Sequence, residues 1–190
     1  MMARDVALTR GKLLAAARAE FIAHGIAGSR VDRIAASAGV NKERIYGHFG
    51  SKEKLFQAAI AEAMGELAAL VSPQDGSLPA FVGRIVDFHR RDPSFLRLLM
   101  WEALHYGAEP QDVTHSRQEW YTRQVQQLAD STGRSTSEAG LLLFSLIGLG
   151  AWPTAVPFTT FLDAPADDDG TWEEQLRAFI VDFVERATRE

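Results

Sequence analysis

Apolar positions recur at helical spacing along nearly the whole chain. Leu14, Ala17 and Phe21 mark one face of a segment from about Thr9 to His24, and Gly25 suits its end. A second run opens at Ser29, whose hydroxyl is placed to cap it, with Asp32 three residues on as in a capping box. It ends at Gly39, which supplies the positive φ of a tight interhelix turn. Asn41 is placed to cap a third helix reaching about Phe49. Ser51 is placed to cap a fourth that reaches about Val71, with Phe56, Ile60, Ala63, Leu67 and Leu70 on one stripe. After the break from Ser72 to Pro79, the spacing predicts helices at about 78–91, 94–106, 111–131, 136–151 and 171–188. Pro153 and Pro157 are placed to break the chain after Trp152. Val, Ile and Thr nowhere alternate with polar residues over a long stretch, so no sheet is expected. The pattern predicts an all-α fold of about nine helices. Residues 1–50 would form a three-helix N-terminal domain and residues 51–190 a larger helical domain, joined by the fourth helix, 51–71.

Charge changes this picture more than overall composition does. The chain's formal charge is −5, which by itself argues against a polyanionic partner. Residues 1–60, however, hold ten Lys and Arg against five Asp and Glu, a net of +5. The remainder holds ten Arg, no Lys and twenty acidic residues, a net of −10. A small basic head on an acidic body suits phosphate while discouraging non-specific wrapping. There is no cysteine, hence no disulfide and no thiolate metal site. The N-terminus lacks the apolar core of a signal peptide, and the longest apolar run, Leu141 to Pro153, is 13 residues and short for a bilayer. A cytoplasmic protein with no membrane partner is expected.

The segment from Ser29 to Lys52 is where the basic head acquires chemistry. Two short helices joined at Gly39, with Ala35 at their close approach and Ile34, Val40, Ile45 and Phe49 as a shared core, match a helix-turn-helix. The third helix would expose Lys42, Glu43, Arg44, Tyr46, Gly47 and His48, its first residues being those that reach base edges in a major groove. Spacing alone also fits an ordinary helical hairpin with a charged surface.

The residues themselves resemble the N-terminal domain of the TetR family of transcriptional regulators. The resemblance rests on Ser29, Val31-Asp32-Arg33-Ile34-Ala35, Ala38-Gly39-Val40, Tyr46-Gly47-His48-Phe49 and Ser51-Lys52-Glu53-Lys54-Leu55, and it covers roughly residues 9–65. It implies phosphate contacts for Tyr46, His48 and Lys52, the last aided by the free N–H groups of a helix start. Arg30 and Arg33, on the second helix, are expected to face the DNA backbone or simply solvent. The chain departs from the family where small residues often follow the cap of the third helix, carrying Lys42-Glu43-Arg44 instead. Arginine pairs bidentately with guanine and a carboxylate accepts from cytosine N4, so Arg44 is the expected base reader of a G/C-containing half-site. Glu43 contributes to that readout, holds Arg44 in place, or repels phosphate.

A single recognition helix reads only a few base pairs, whereas a twofold dimer reads a palindrome. In the family resembled, the last two helices of each subunit pair as a four-helix bundle. Here these helices carry Leu142 and Phe144, then Leu176, Phe179, Ile180 and Phe183, the expected homodimer interface. The helix at 136–151 is apolar on most sides, which predicts burial all round, and Gly140, Gly148 and Gly150 permit close helix contact. The body is also rich in amphipathic aromatics. Phe88, Trp101, His105, Trp120, Tyr121, Phe144 and Trp152 are the expected lining of the small-molecule effector cavity that the resemblance implies. Taken singly, each reads more readily as plain core or surface; it is the set that fits a cavity.

Catalysis is not indicated. There is no Gly-x-Ser-x-Gly elbow, no phosphate-cradling glycine loop and no His-Glu-x-x-His helix. The five histidines lack metal spacing, so no metal or cofactor is expected. His89 and Asp92, at i,i+3 on a helix end, read as a surface or capping pair. The aspartates of the loop Ala164 to Thr171 are not spaced for calcium. The expected function is a sequence-specific regulator that binds double-stranded DNA, a homodimeric repressor released from a palindromic operator by a small molecule. A transcriptional activator or a ligand-independent regulator on the same fold is the alternative.

Overall fold

The computed structural model describes residues 2–70, 77–107, 115–156 and 171–189. Every element among them is a helix: α1 (Met2–Gly28), α2 (Val31–Ala38), α3 (Lys42–Phe49), α4 (Lys52–Leu70), α5 (Leu78–Arg91), α6 (Ser94–Tyr106), α7 (His115–Thr132), α8 (Thr136–Ala155) and α9 (Thr171–Thr188). The all-α reading holds, and most boundaries fall within a residue or two of expectation. Residues 111–114, expected to open the seventh helix, lie outside the described residues, as do Pro157 and the acidic loop before α9.

Gly25 interrupts α1 as expected, with φ 65° and ψ −177°, and a short helical segment follows it to Gly28. Two local expectations are corrected. First, Ser29 does not cap α2 and forms no capping box with Asp32. The N-cap is Arg30, without a side-chain cap bond. Ser29 is buried instead, its hydroxyl donating to the Ile26 carbonyl at 2.8 Å. Glu20, brought up by α1, accepts from the Arg30 backbone N–H at 2.8 Å and so satisfies the helix start from outside. Second, Pro153 does not end α8. A proline this close to a C-terminus sacrifices a single backbone bond, and the helix continues to Ala155.

The other signals act as their chemistry demands. Gly39 closes α2 in the left-handed conformation, φ 68°. The Asn41 side chain accepts from Arg44 N–H, and the Ser51 hydroxyl accepts from Lys54 N–H at 3.2 Å.

The chain packs as two compact units, Met1–Glu66 with Arg97–Arg117, and Leu67–Leu96 with Gln118–Glu190. The packing therefore does not divide at residue 50. All three divisions fall inside helices, in α4, α6 and α7. The reason in the first unit is burial. Leu55, Phe56, Ala59 and Ile60 of α4 are as buried as Leu13, Ala17 and Phe21 of α1, and Phe56 meets Phe21 edge-on with ring centroids 5.0 Å apart. Leu70, at the far end of the expected stripe, is 48% exposed.

The second unit is organised on α5, whose Phe81, Val82, Ile85, Val86 and Phe88 are buried where α8 and α9 pack on it. Gly150 allows that approach, because a Cβ there would sit 2.6 Å from Ile85 Cγ2. Gly148 has open space instead. Arg177 of α9 donates twice to Asp87 of α5, both at 2.8 Å, fixing the register of the two helices. By length and composition alone α8 could cross a membrane, so the expectation from its 13-residue apolar run was too narrow. It is not buried all round either. Ala139, Leu143, Leu146, Gly150 and Ala151 pack inward, while Leu141, Phe144 and Trp152 remain exposed.

Candidate nucleic-acid interface and ligand cavity

The DNA-reading candidates sit on a head built to present them. Ile45 and Phe49 anchor α3 inward, leaving Glu43, Arg44, Tyr46 and Gly47 exposed and Lys42 and His48 half-exposed. The Asn41 cap fixes the first turn that carries Lys42, Glu43 and Arg44. Lys42 lies 3.0 Å from Asp32, whose hydrogen bond and charge raise the lysine pKa and keep it cationic. The intended partner of a capping box thus holds a recognition-helix lysine across the turn.

Arg33 is committed elsewhere. Its Nε donates to Glu20 at 2.7 Å and its Nη2 to the Gly28 carbonyl at 3.0 Å. Burial would raise the Glu20 pKa, but the bonds from Arg33 and from Arg30 N–H outweigh it and hold the carboxylate ionised. Arg33 therefore ties α2 to α1, whereas the exposed Arg30 gives up only its backbone N–H to that tie. Lys52 donates to the Ile26 carbonyl at 2.7 Å, so the first residue of α4 is pinned to the end of α1. An ammonium has three donors, and one such bond leaves two for phosphate.

The aromatic candidates of the body do not converge. Trp101 packs on Gly25 in the first unit, and its indole N–H donates to the Ile22 carbonyl at 3.2 Å. Beside it the buried Glu102 accepts from Gln57 and Arg117, each at 2.9 Å. His105 is exposed, its ring edge-on to Tyr106. In the second unit, Trp120 is buried edge-on to Tyr121, Phe88 is core, and Phe144 is 78% exposed. Among the seven, Trp152 alone lines the cavity described next.

That cavity, of about 780 Å³, opens between α5, the C-terminal end of α8 and the start of α9. Its walls are Val86, His89, Arg90 and Pro93, then Gly150, Trp152, Pro153, Thr154 and Val156, then Trp172, Glu173, Gln175, Leu176 and Phe179. His89 is a correction. It is 3% exposed, not a surface residue, and its ring stacks on Phe95 with the planes 3° apart. Burial pushes its pKa down to about 4 against the opposing pull of Asp92, so the ring is neutral at physiological pH. His89 Nδ1 and Trp172 Nε1 are both buried without a hydrogen-bond partner among the described residues. The missed signal was periodicity, since His89 continues the stripe of Val82, Ile85 and Val86.

The expected dimer residues separate into two groups. Ile180 is buried against its own chain, and Leu142 and Leu176 are half-buried. Phe144, Phe179 and Phe183 are 78%, 67% and 49% exposed, and the last two stack on each other 6.5 Å apart. Among the described residues no cluster of His, Asp and Glu is arranged to hold a metal.

Comparison with known proteins identifies the family. The family model for bacterial regulatory proteins of the tetR family matches residues 13–59, and that for the tetracyclin repressor-like C-terminal domain matches residues 77–186. The chain is 37% identical to the HTH-type transcriptional repressor SCO4008 of Streptomyces coelicolor, over all of this chain and 97% of that one. Its fold is similar to that of SCO4942, a candidate transcriptional regulator from Streptomyces coelicolor, with a TM-score of 0.75 and 28% identity over 94% of this chain and 97% of that one. AibR, solved in complex with isovaleryl coenzyme A and operator DNA, shares the fold at a TM-score of 0.66 and 18% identity, over 93% of this chain and 97% of its own.

Proposed function

The chain belongs to the TetR family of DNA-binding transcriptional regulators, and from that premise we propose that it is a homodimeric repressor of a palindromic operator, released by a small-molecule effector. It is a regulator and not an enzyme. The observation that carries the dimer is the row of exposed phenylalanines, Phe144, Phe179 and Phe183, on α8 and α9 of the second unit. Exposed aromatics on adjoining helices favour association, because their burial removes apolar surface from water. Two copies joined there carry two α3 helices, which is what a palindrome requires.

On the head, Arg44 reads bases, with Lys42 and Glu43 beside it. Tyr46, His48 and Lys52 grip phosphate together with the exposed Arg30. Arg33 serves mainly as an internal brace, given its bonds to Glu20 and Gly28. The effector acts by population shift. It binds more tightly to a dimer whose heads are spaced wrongly for adjacent major grooves than to the DNA-competent dimer. The protein works in the cytoplasm, where its DNA is.

The test combines assembly and binding. Operator fragments obtained by in vitro selection are expected to be palindromic and to bind one dimer. The variant Phe179→Glu/Phe183→Glu is expected to sediment as a folded monomer and to lose at least tenfold in operator affinity. A variant that remains a dimer, or a monomer that binds the full palindrome as tightly as the parent, overturns the proposal. A promoter–reporter assay gives the sign of regulation, with expression expected to rise when the gene is deleted.

A further inference from the structure

Two buried polar atoms that face one cavity of the second unit lack, among the described residues, what buried polar atoms almost always have. Among the described residues His89 Nδ1 and Trp172 Nε1 have no hydrogen-bond partner, and both residues line the cavity between α5, α8 and α9. The site is built rather than incidental, since the His89 side chain is almost fully enclosed and held flat on Phe95. Its size is that of a drug-sized ligand's pocket.

The chemistry of the walls narrows the occupant. Val86, Trp152, Leu176 and Phe179 ask for an apolar, ring-containing body. An indole N–H only donates, so Trp172 asks for an acceptor. A neutral imidazole presents an acceptor or a donor according to tautomer, and a hydroxyl answers either. The charged residues of the wall are Arg90 and Glu173, which face each other at 3.9 Å, so neither sign is left uncompensated. We infer that the cavity takes a neutral hydroxylated aromatic ketone or quinone, its carbonyl accepting from the Trp172 N–H and its hydroxyl meeting His89. This rests on the reading of the chain as an effector-released regulator, and it places the effector away from Trp101, His105 and Trp120. Because Trp152 and Phe179 belong both to the cavity and to the exposed apolar face, an occupant acts directly on the surface proposed to join two copies.

The experiment titrates the full-length protein by calorimetry with 1-hydroxyanthraquinone, 7-hydroxyflavone and a hydroxycoumarin. Anthracene serves as the apolar control, anthraquinone-2-sulfonate as the anion and proflavine as the cation. At least one of the three hydroxy-ketones is expected to bind tenfold or more tighter than every control. Trp172→Phe keeps the ring and deletes only the N–H, and is expected to weaken that ligand roughly fivefold to tenfold. His89→Phe, which keeps the stack on Phe95, is expected to weaken it similarly while remaining folded. The inference is overturned if anthracene, the sulfonate or proflavine binds as tightly, if Trp172→Phe changes nothing, or if no hydroxy-ketone binds. It is equally overturned if the cavity is filled by a second copy, seen as weaker self-association of Trp172→Phe with no ligand bound. Operator release is measured separately. Binding without release upholds the cavity's chemistry and removes the effector mechanism, whereas release without dependence on Trp172 does the reverse.

Discussion

Gly25 is a position where the geometry allows a substitution to be reasoned through to a number. At φ 65° and ψ −177° it occupies a region open essentially to glycine. A Cβ built there would lie 2.6 Å from Trp101 Cε3 and 2.9 Å from two other atoms of the indole. Gly25→Ala therefore carries two separable penalties. The backbone strain costs roughly 1–3 kcal/mol and exists whatever the neighbour. The overlap with the indole costs about 1–3 kcal/mol, because Trp101 is held by its bond to the Ile22 carbonyl and cannot simply swing away. Together they amount to roughly 2–6 kcal/mol, a large share of the roughly 5–15 kcal/mol that stabilises a typical domain.

A double-mutant cycle separates the two. Urea unfolding is measured for the parent, Gly25→Ala, Trp101→Ala and the pair. Trp101→Ala alone is expected to cost about 3–5 kcal/mol as a large-to-small change. In that background the overlap is gone and only the strain remains, so Gly25→Ala is expected to cost about 1–3 kcal/mol less than it does in the parent. Equal costs in the two backgrounds would mean that the indole does not press on Gly25. A negligible cost in both would mean that the left-handed backbone is not required either.

Two further predictions concern the recognition helix and the buried histidine. Arg44→Ala is expected to cost about 1–3 kcal/mol on the preferred operator and to relax selection at one G·C position of each half-site; an unchanged preference in binding-site selection would remove Arg44 as a base reader. For His89 the folded pKa, near 4, lies below the unfolded value of 6.5, so the unfolded chain binds more protons between these limits. Stability is thus fully present above about pH 6.5 and lost as the pH falls, by about 2 kcal/mol at pH 5. Urea midpoints compared at pH 5 and 7.5 for the parent and His89→Phe test this. The variant should show a shallower slope, and an unchanged slope would refute the assignment to His89.

What was legible in the sequence, and what was not, follows from the distance over which each residue finds its partner. Asn41 and Ser51 bond three residues away, and Gly39 closes on its own helix, so their roles could be read locally. Ser29 carried the same local signal as Asn41, yet it is buried and bonds backward to Ile26, because Glu20 had already taken the N-cap N–H. Trp101 and His105 share a helical spacing but not an environment: one is seated on Gly25, 76 residues earlier, and the other is in solvent. The cavity escaped for the same reason, its walls coming from three helices separated by long stretches of chain. Within the first unit, the Trp101 indole N–H bonds to the Ile22 carbonyl of α1 and Glu102 accepts from Gln57 of α4, so the aromatic spacing of α6 marks packing partners on distant helices rather than a cavity wall.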